Sequence, residues 1–320
     1  MFLWHTQVLF DFWHFFVLLL QRIRKCILPD GLKTGSEQFK ATFLVHKQLG
    51  QIKAVLEDLY HRYNHAEFIP PDPLQWVYRY KYKADREIVA FLAAALAYGR
   101  VEQINKSLEK LFAVMGKSPA GFVYDFSKRQ RADFLNFKHR FNTGDDICDL
   151  FLLLRNVLRQ DGSIEQFFLR GYKPGDGDII PALTAFCESL TRGQSGRGLG
   201  YLLSNPAAGS ACKRLNLFLR WMVRGDEVDA GIWQGVDKAK LIVPVDVHIG
   251  RLTKILGFHN RDTLTLAAAR EITAGFAAIS PDDPVKYDFA LSRIGILEHC
   301  TGKYNQRCQA CSLLAFCSPH

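Results

Sequence analysis

Four of the eight cysteines of this chain crowd into its last stretch, EHCTGKYNQRCQACSLLAFC, as Cys300-x7-Cys308-x2-Cys311-x5-Cys317. The other four, Cys26, Cys148, Cys187 and Cys212, are scattered through apolar or helical-looking segments and read as small buried hydrophobes. A secreted disulfide framework spreads its cysteines through a small chain, so this clustering points to metal chemistry in a reducing compartment. Zinc usually takes two close pairs, each spanning two corners of a tetrahedron. Only one such pair, Cys308 and Cys311, is present. The open arms on either side suit a 4Fe–4S cubane better, because its four irons each want one thiolate at a separate corner. Zinc, and a disulfide-linked or unliganded set, are the competing readings. Lys303 and Arg307 lie in the widest arm, placed either to approach a nucleic-acid phosphate or simply to be solvated.

The rest of the chain must supply a conventional core. At 320 residues, with 48% hydrophobic and 23% charged residues, it is neither disordered, collagenous nor a coiled coil, and it needs no disulfide staples. Lys and Arg number 41 against 32 Asp and Glu, a formal charge of +9 that favours an anionic partner, nucleic acid first. Residues 7–20, QVLFDFWHFFVLLL, carry Asp11 and His14 and are too short to span a bilayer. Basic residues follow this run instead of preceding it, which argues against a signal peptide. Residues 1–44 are expected to be an extension outside the fold, with 28–38 as linker; a membrane-surface anchor is the alternative.

From about residue 47 the apolar spacing is helical, as at Ile52, Val55, Leu56 and Leu59. Helical patterns follow from Asp85 to Gly99 and over 101–115, 128–136, 146–158, 163–170, 179–191, 211–224, 244–256, 264–278 and 283–298, with breakers between them. Strand signals are sparse and no repeat recurs at a fixed period. The reading is an all-α chain with short connections, built as a helical lobe over 84–240 and a second lobe from 45–83 with 241–320.

Two further segments carry chemistry. In LIVPVDVHIGRLTKILGF (241–258) an apolar run ends in Pro244-Val245-Asp246 and a helix follows. Asp246 suits a helix cap, and a carboxylate held there can equally stabilise a cationic sugar or activate a nucleophile. His248 reads as structural. In SNPAAGSACKRLNLFLRWMVRG (204–225), Pro206 and Gly209 turn the chain into a helix on which Lys213, Arg220 and Arg224 fall roughly on one face. From 205 to 224 there are basic residues and no acidic ones. A hairpin whose backbone N–H groups open onto a helix N-terminus suits phosphate; an ordinary solvated helix face is the plainer reading.

Taken together, a Pro-containing hairpin, a helix, Val-Asp-x-His, two further helices and a four-cysteine loop resemble the helix-hairpin-helix DNA glycosylases with a catalytic aspartate, most closely endonuclease III. GSACKRLNLFLRWMVR, DPVKYDFALSRIGI (283–296) and DREIVAFLAAALAYGRVEQI are similar to a little-characterised bacterial branch of that superfamily. The resemblance covers most of 45–320. It implies a two-lobed all-α fold with a C-terminal cluster loop. It also implies Asp246 as catalytic aspartate and Cys300, Cys308, Cys311 and Cys317 as ligands of a 4Fe–4S cluster. Gly209, Ser210, Arg214, Arg220 and Arg224 are the expected DNA contacts. Two departures stand out: Ala207 replaces the first hairpin glycine, and Ala211 occupies the position of the nucleophilic lysine. The nearest lysine is Lys213, and its long interval to Asp246 is similar to an archaeal 8-oxoguanine glycosylase branch with a VPVD-like step. The implied activity is excision of a damaged base from duplex DNA by a cytoplasmic, nucleoid-associated monomer that uses no membrane. Lys213 would form a Schiff base and nick the strand. The base must leave the stack first, and an aromatic residue that the sequence does not identify would take its place. A monofunctional glycosylase, a non-catalytic iron–sulfur DNA-binding protein and a redox iron–sulfur protein are the alternatives.

Overall fold

The computed structural model describes residues 35–192 and 197–317. It is predominantly helical. Residues 1–34, and with them most of the expected extension, lie outside the described residues. From Gly35 the chain is already helical, so the first helix starts inside the segment assigned to linker and extension. That helix, α1 (Gly35–Tyr63), buries Ile52, Leu56 and Leu59. Helix α2 (Lys83–Ala95) is apolar on every side from Ile88 to Ala95, and a helix of that kind can only lie in the middle of a core.

Helices α3 (Val101–Met115), α4 (Pro119–Asp125), α5 (Gly144–Asp161), α6 (Ile164–Leu169), α7 (Ile180–Leu190) and α8 (Arg197–Leu202) follow. The expected stops and starts match most of these within a few residues. Helix α4 was hidden in the sequence, because Gly-Lys-Ser-Pro reads as a breaker. Here Pro119 takes the first helical position, where its missing N–H costs nothing, and the Ser118 hydroxyl accepts from Gly121 N. The span 128–136, expected as an α-helix, is a 3-10 turn over Lys128–Phe134. It leads into a two-stranded hairpin, β1 (Lys138–His139) against β2 (Asn142–Thr143).

Helices α9 (Lys213–Val223), α10 (Val247–Ile255), α11 (Leu266–Ala277) and α12 (Asp288–Ile296) complete the described chain, followed by the cysteine loop. α9 packs against α2, while α12 packs against both α10 and α1. The first two thirds of the chain and its C-terminal helices therefore meet around α9 and α12. Among the described residues no helix is long and apolar enough to cross a membrane.

Candidate functional site

The segment from Ser204 to Lys213 turns twice before entering α9. Asn205 caps a short 3-10 turn, Pro206–Ala208, by accepting from Ala207 N at 2.9 Å. Gly209 then takes φ +77, a left-handed conformation that a side chain would oppose. Its carbonyl accepts from Leu266 N, and Ser210 pairs with Thr265, so the start of α11 pins the turn from outside. Cys212, at φ +45, makes the second turn; its N–H donates to the Ser210 hydroxyl at 3.1 Å. Lys213 is the first residue of α9.

Beside this turn the apolar run 241–245 ends at Asp246, which caps α10. One carboxylate oxygen, Oδ1, accepts from both His248 N and Ile249 N at 2.9 Å. The other, Oδ2, faces Lys213 Nζ at 3.9 Å, an ion-pair separation too long for a direct hydrogen bond. Asp246 thus caps with one oxygen and keeps the second for the amine. Both side chains are partly exposed, at 36% for Lys213 and 26% for Asp246. Lys213 lines a cleft of about 400 Å³ with Ser204, Gly209, Ser210, Val245 and Leu264. Ala211, where the family resemblance would place a lysine, is buried. The His248 ring lies against Gly295 of α12, where an added Cβ would come within 2.3 Å of Nδ1.

Two expected DNA contacts need correction. Arg220 and Arg224 are 3% and 4% exposed and cannot reach a phosphate. Arg220 pairs with Asp229 and Asp288, and Arg224 with Asp226, Asp229 and Asp283. Burial opposes both charges, but the surrounding carboxylates hold both guanidinium pKa values above their ordinary range. Tyr60 of α1 and Asn64 just after it join the same network through Asp226. Arg214 stays partly exposed: it donates to the carbonyls of Ala95 and Tyr201 and lies over the rings of Tyr98 and Tyr201. The absence of acids from 205 to 224 was misleading, because the compensating carboxylates begin at Asp226. In the fold every residue of α9 from Leu215 to Val223 is buried, Arg220 with them, so its basic positions face carboxylates and not water. Gly209, Ser210 and Arg214 line the cleft with Lys213.

The structure gathers the four tail cysteines. Cys300, Cys308, Cys311 and Cys317 line one small cleft of about 20 Å³ with Leu252 and Ile255 of α10 and Leu313. All four are free thiols of intermediate exposure. Burial first, then the neighbouring cysteines, raise the Cys317 pKa; burial likewise raises that of Cys311. Among the described residues no group of three or more His, Cys, Asp or Glu side chains stands ready to hold one metal ion. The donors fit a sulfur-bound group in chemistry, four thiols in a largely apolar shell, and they surround the cleft without converging on a single point. The loop docks on α10: Arg251 donates to the Cys300 carbonyl, while Cys300 N donates to Ile294 O at 3.1 Å.

Residues 72–297 match a family described as a protein of unknown function, DUF2400. The chain belongs to that family. No curated protein and no solved structure matches the chain. The DUF2400 match contains Lys213, Asp246 and the two buried arginines with their four aspartates, and it ends just before Cys300. The cleft beside Lys213 and the Asp246 carboxylate facing its amine are therefore part of the DUF2400 core, whereas the cysteine loop is attached to that core through α10.

Sequence reasoning missed one group of residues near the site. Tyr98, Arg140, Phe141 and Tyr201 come together beside Arg214. They come from separate parts of the chain, and no local spacing relates them.

Proposed function

We propose that this protein is a DNA glycosylase of the helix-hairpin-helix superfamily that excises a damaged base and nicks the strand through Lys213. The observation that carries the reading is the Lys213 amine, 3.9 Å from the free oxygen of Asp246, on the wall of an open cleft. Amine and carboxylate at that separation suit sugar chemistry. With its proton passed to Asp246 or solvent, Lys213 Nζ attacks the sugar C1′. The N-glycosidic bond breaks and its electron pair leaves with the base, which takes up a proton. The positive charge that develops on the sugar falls beside the Asp246 carboxylate, already fixed by two backbone N–H bonds. The nitrogen gives up a second proton, its lone pair forms the C=N bond as C1′–O4′ breaks and O4′ takes up a proton, and the ring opens to a protonated imine. Removal of a C2′ proton then expels the 3′ phosphate and nicks the strand.

The partner in this reading is double-stranded DNA with a damaged base or an abasic site. Gly209, Ser210 and the solvent-facing part of the hairpin meet its backbone. Cys300, Cys308, Cys311 and Cys317 would hold a 4Fe–4S cluster. Its contribution would be structural, bracing a loop against the DNA, with no redox step. The support for a cluster over one zinc ion is the spacing of the thiols and their arrangement around a cleft.

Trapping with borohydride tests the reading. A lysine imine is reducible, so wild-type protein should cross-link to one member of a panel of single-lesion and abasic duplexes. Lys213→Gln should lose the cross-link and keep its fold. If the variant still excises a base without nicking, water is the nucleophile and the enzyme is monofunctional. No trapping and no excision on any substrate leaves a non-catalytic DNA-binding protein.

A further inference from the structure

The turn of the β1–β2 hairpin presents an arginine and a phenylalanine to solvent from an unusually well-anchored base. Phe141 is 66% exposed and Arg140 is exposed beside it, yet the flanking residues His139 and Asn142 are completely buried. Burial lowers the pKa of His139, which favours the neutral ring. Its Nε2 lies 3.1 Å from the Tyr98 carbonyl, which can only accept, so Nε2 carries the proton and Ser107 Oγ donates to Nδ1 at 2.9 Å. The Tyr98 hydroxyl lies 2.9 Å from the His139 carbonyl and 2.6 Å from Asn142 Oδ1, closing the base of the hairpin. Asn142 in turn donates to the Gly198 carbonyl at 3.1 Å.

Above this base the aromatic rings form a short stair. Phe141 meets Tyr201 edge-on at 5.5 Å between ring centres, and Tyr201 meets Tyr98 at 5.0 Å. The Arg140 guanidinium lies 5.2 Å from the Phe141 ring centre, and that of Arg214 lies 4.8 Å from the Tyr201 ring centre. Arg214 follows Lys213 directly, so the stair ends at the root of the helix that carries the amine. Among the described residues neither Lys138 nor Arg140 is paired with a carboxylate. Exposed aromatic faces with unpaired cations beside them match the chemistry of an unstacked nucleobase and its phosphate.

We propose that the Arg140–Phe141 turn, backed by Tyr201, is a stacking platform for an unpaired nucleobase of DNA, and that the protein prefers DNA with unstacked bases to a fully paired duplex. The inference rests on the proposed function in taking DNA as the partner, but not in assigning chemistry to Lys213. Base–aromatic stacking is sequence-tolerant, so the preference should hold across base identities.

Fluorescence anisotropy tests it with three probes of one length: a single strand, a duplex with a central abasic site, and the intact duplex. Phe141→Ala should weaken binding to the first two about tenfold and leave the intact duplex within about twofold. Phe141→Trp should restore the preference, which a merely structural role would not do. Phe141 is largely exposed, so the fold should survive either change. Equal loss on all three probes, or none on any, overturns the platform. A second copy covering the turn is overturning as well, and would show as dimer in sedimentation that Phe141→Ala converts to monomer. If the wild type binds no DNA, this inference and the proposed function both fall. If it binds with the stated preference but never traps with borohydride, only the lyase chemistry falls.

Discussion

Replacing Asp246 separates a helix cap from a catalytic group, because its two oxygens do different things. Asp246→Asn keeps an Oδ1 acceptor for His248 N and Ile249 N, and Asn caps helices about as well as Asp. Its loss of charge removes an ion pair that is partly exposed on both sides and contributes at most about 1 kcal/mol. The stability of Asp246→Asn should therefore stay within about 1 kcal/mol of wild type. Asp246→Ala orphans both N–H groups at the first turn of α10 and should cost about 1 to 2 kcal/mol. For catalysis the two variants should look alike. Without the carboxylate, the developing sugar charge has no fixed counter-charge, and loss of one such electrostatic contact costs roughly 100- to 1000-fold in rate. Thermal or denaturant unfolding, set beside single-turnover excision on the lesion duplex that wild type traps, measures both quantities. Asp246→Asn with near wild-type excision would reduce Asp246 to a cap. An Asn variant as unstable as Ala would mean that the capping geometry has been misread.

Two other perturbations are as direct. Protein purified without oxygen should be brown, with about four irons per chain, and Cys308→Ser should bleach it; a colourless protein holding one zinc would end the cluster assignment. Burial opposes the charge of Asp226, but Arg224, Asn64 and backbone N–H groups hold its pKa down to about 2, against 3.8 for an ordinary aspartate. A depressed acid stabilises the fold above its unfolded pKa, so roughly 2 kcal/mol should be present above about pH 4 and lost as the pH falls toward 2. Asp226→Asn should flatten that part of the stability curve in denaturant titrations at stepped pH; an unchanged slope would place the acid sensitivity elsewhere.

The helical character and most helix boundaries were legible because they are written in local spacing. α4 was not, since its opening proline resembles a break until Ser118 is seen to cap it. The cysteine loop and the Asp246 cap were legible for the same local reason. Lys213 and Asp246 were singled out separately, and only the fold shows that the amine faces the oxygen left free by the cap. Arg220 and Arg224 illustrate the opposite case. Their helical spacing was read correctly, but a spacing says which residues share a face and not whether that face meets water. The answer lay in Asp226 and Asp229 just beyond the helix and in Asp283 and Asp288, distant in sequence. The Phe141 platform had no local signature, because each of its members is ordinary until the chain assembles them.

Helix α10 has Asp246 at its first turn and, through Arg251, Leu252 and Ile255, the cysteine loop along its far half. Nine residues of helix make a rod of about 13 Å. Rods of this length transmit tilt with little loss, so an insult at one end is felt as misalignment at the other. The helix that seats the thiol loop is thus the one that holds the carboxylate 3.9 Å from Lys213, so cleft and tail share one rigid support.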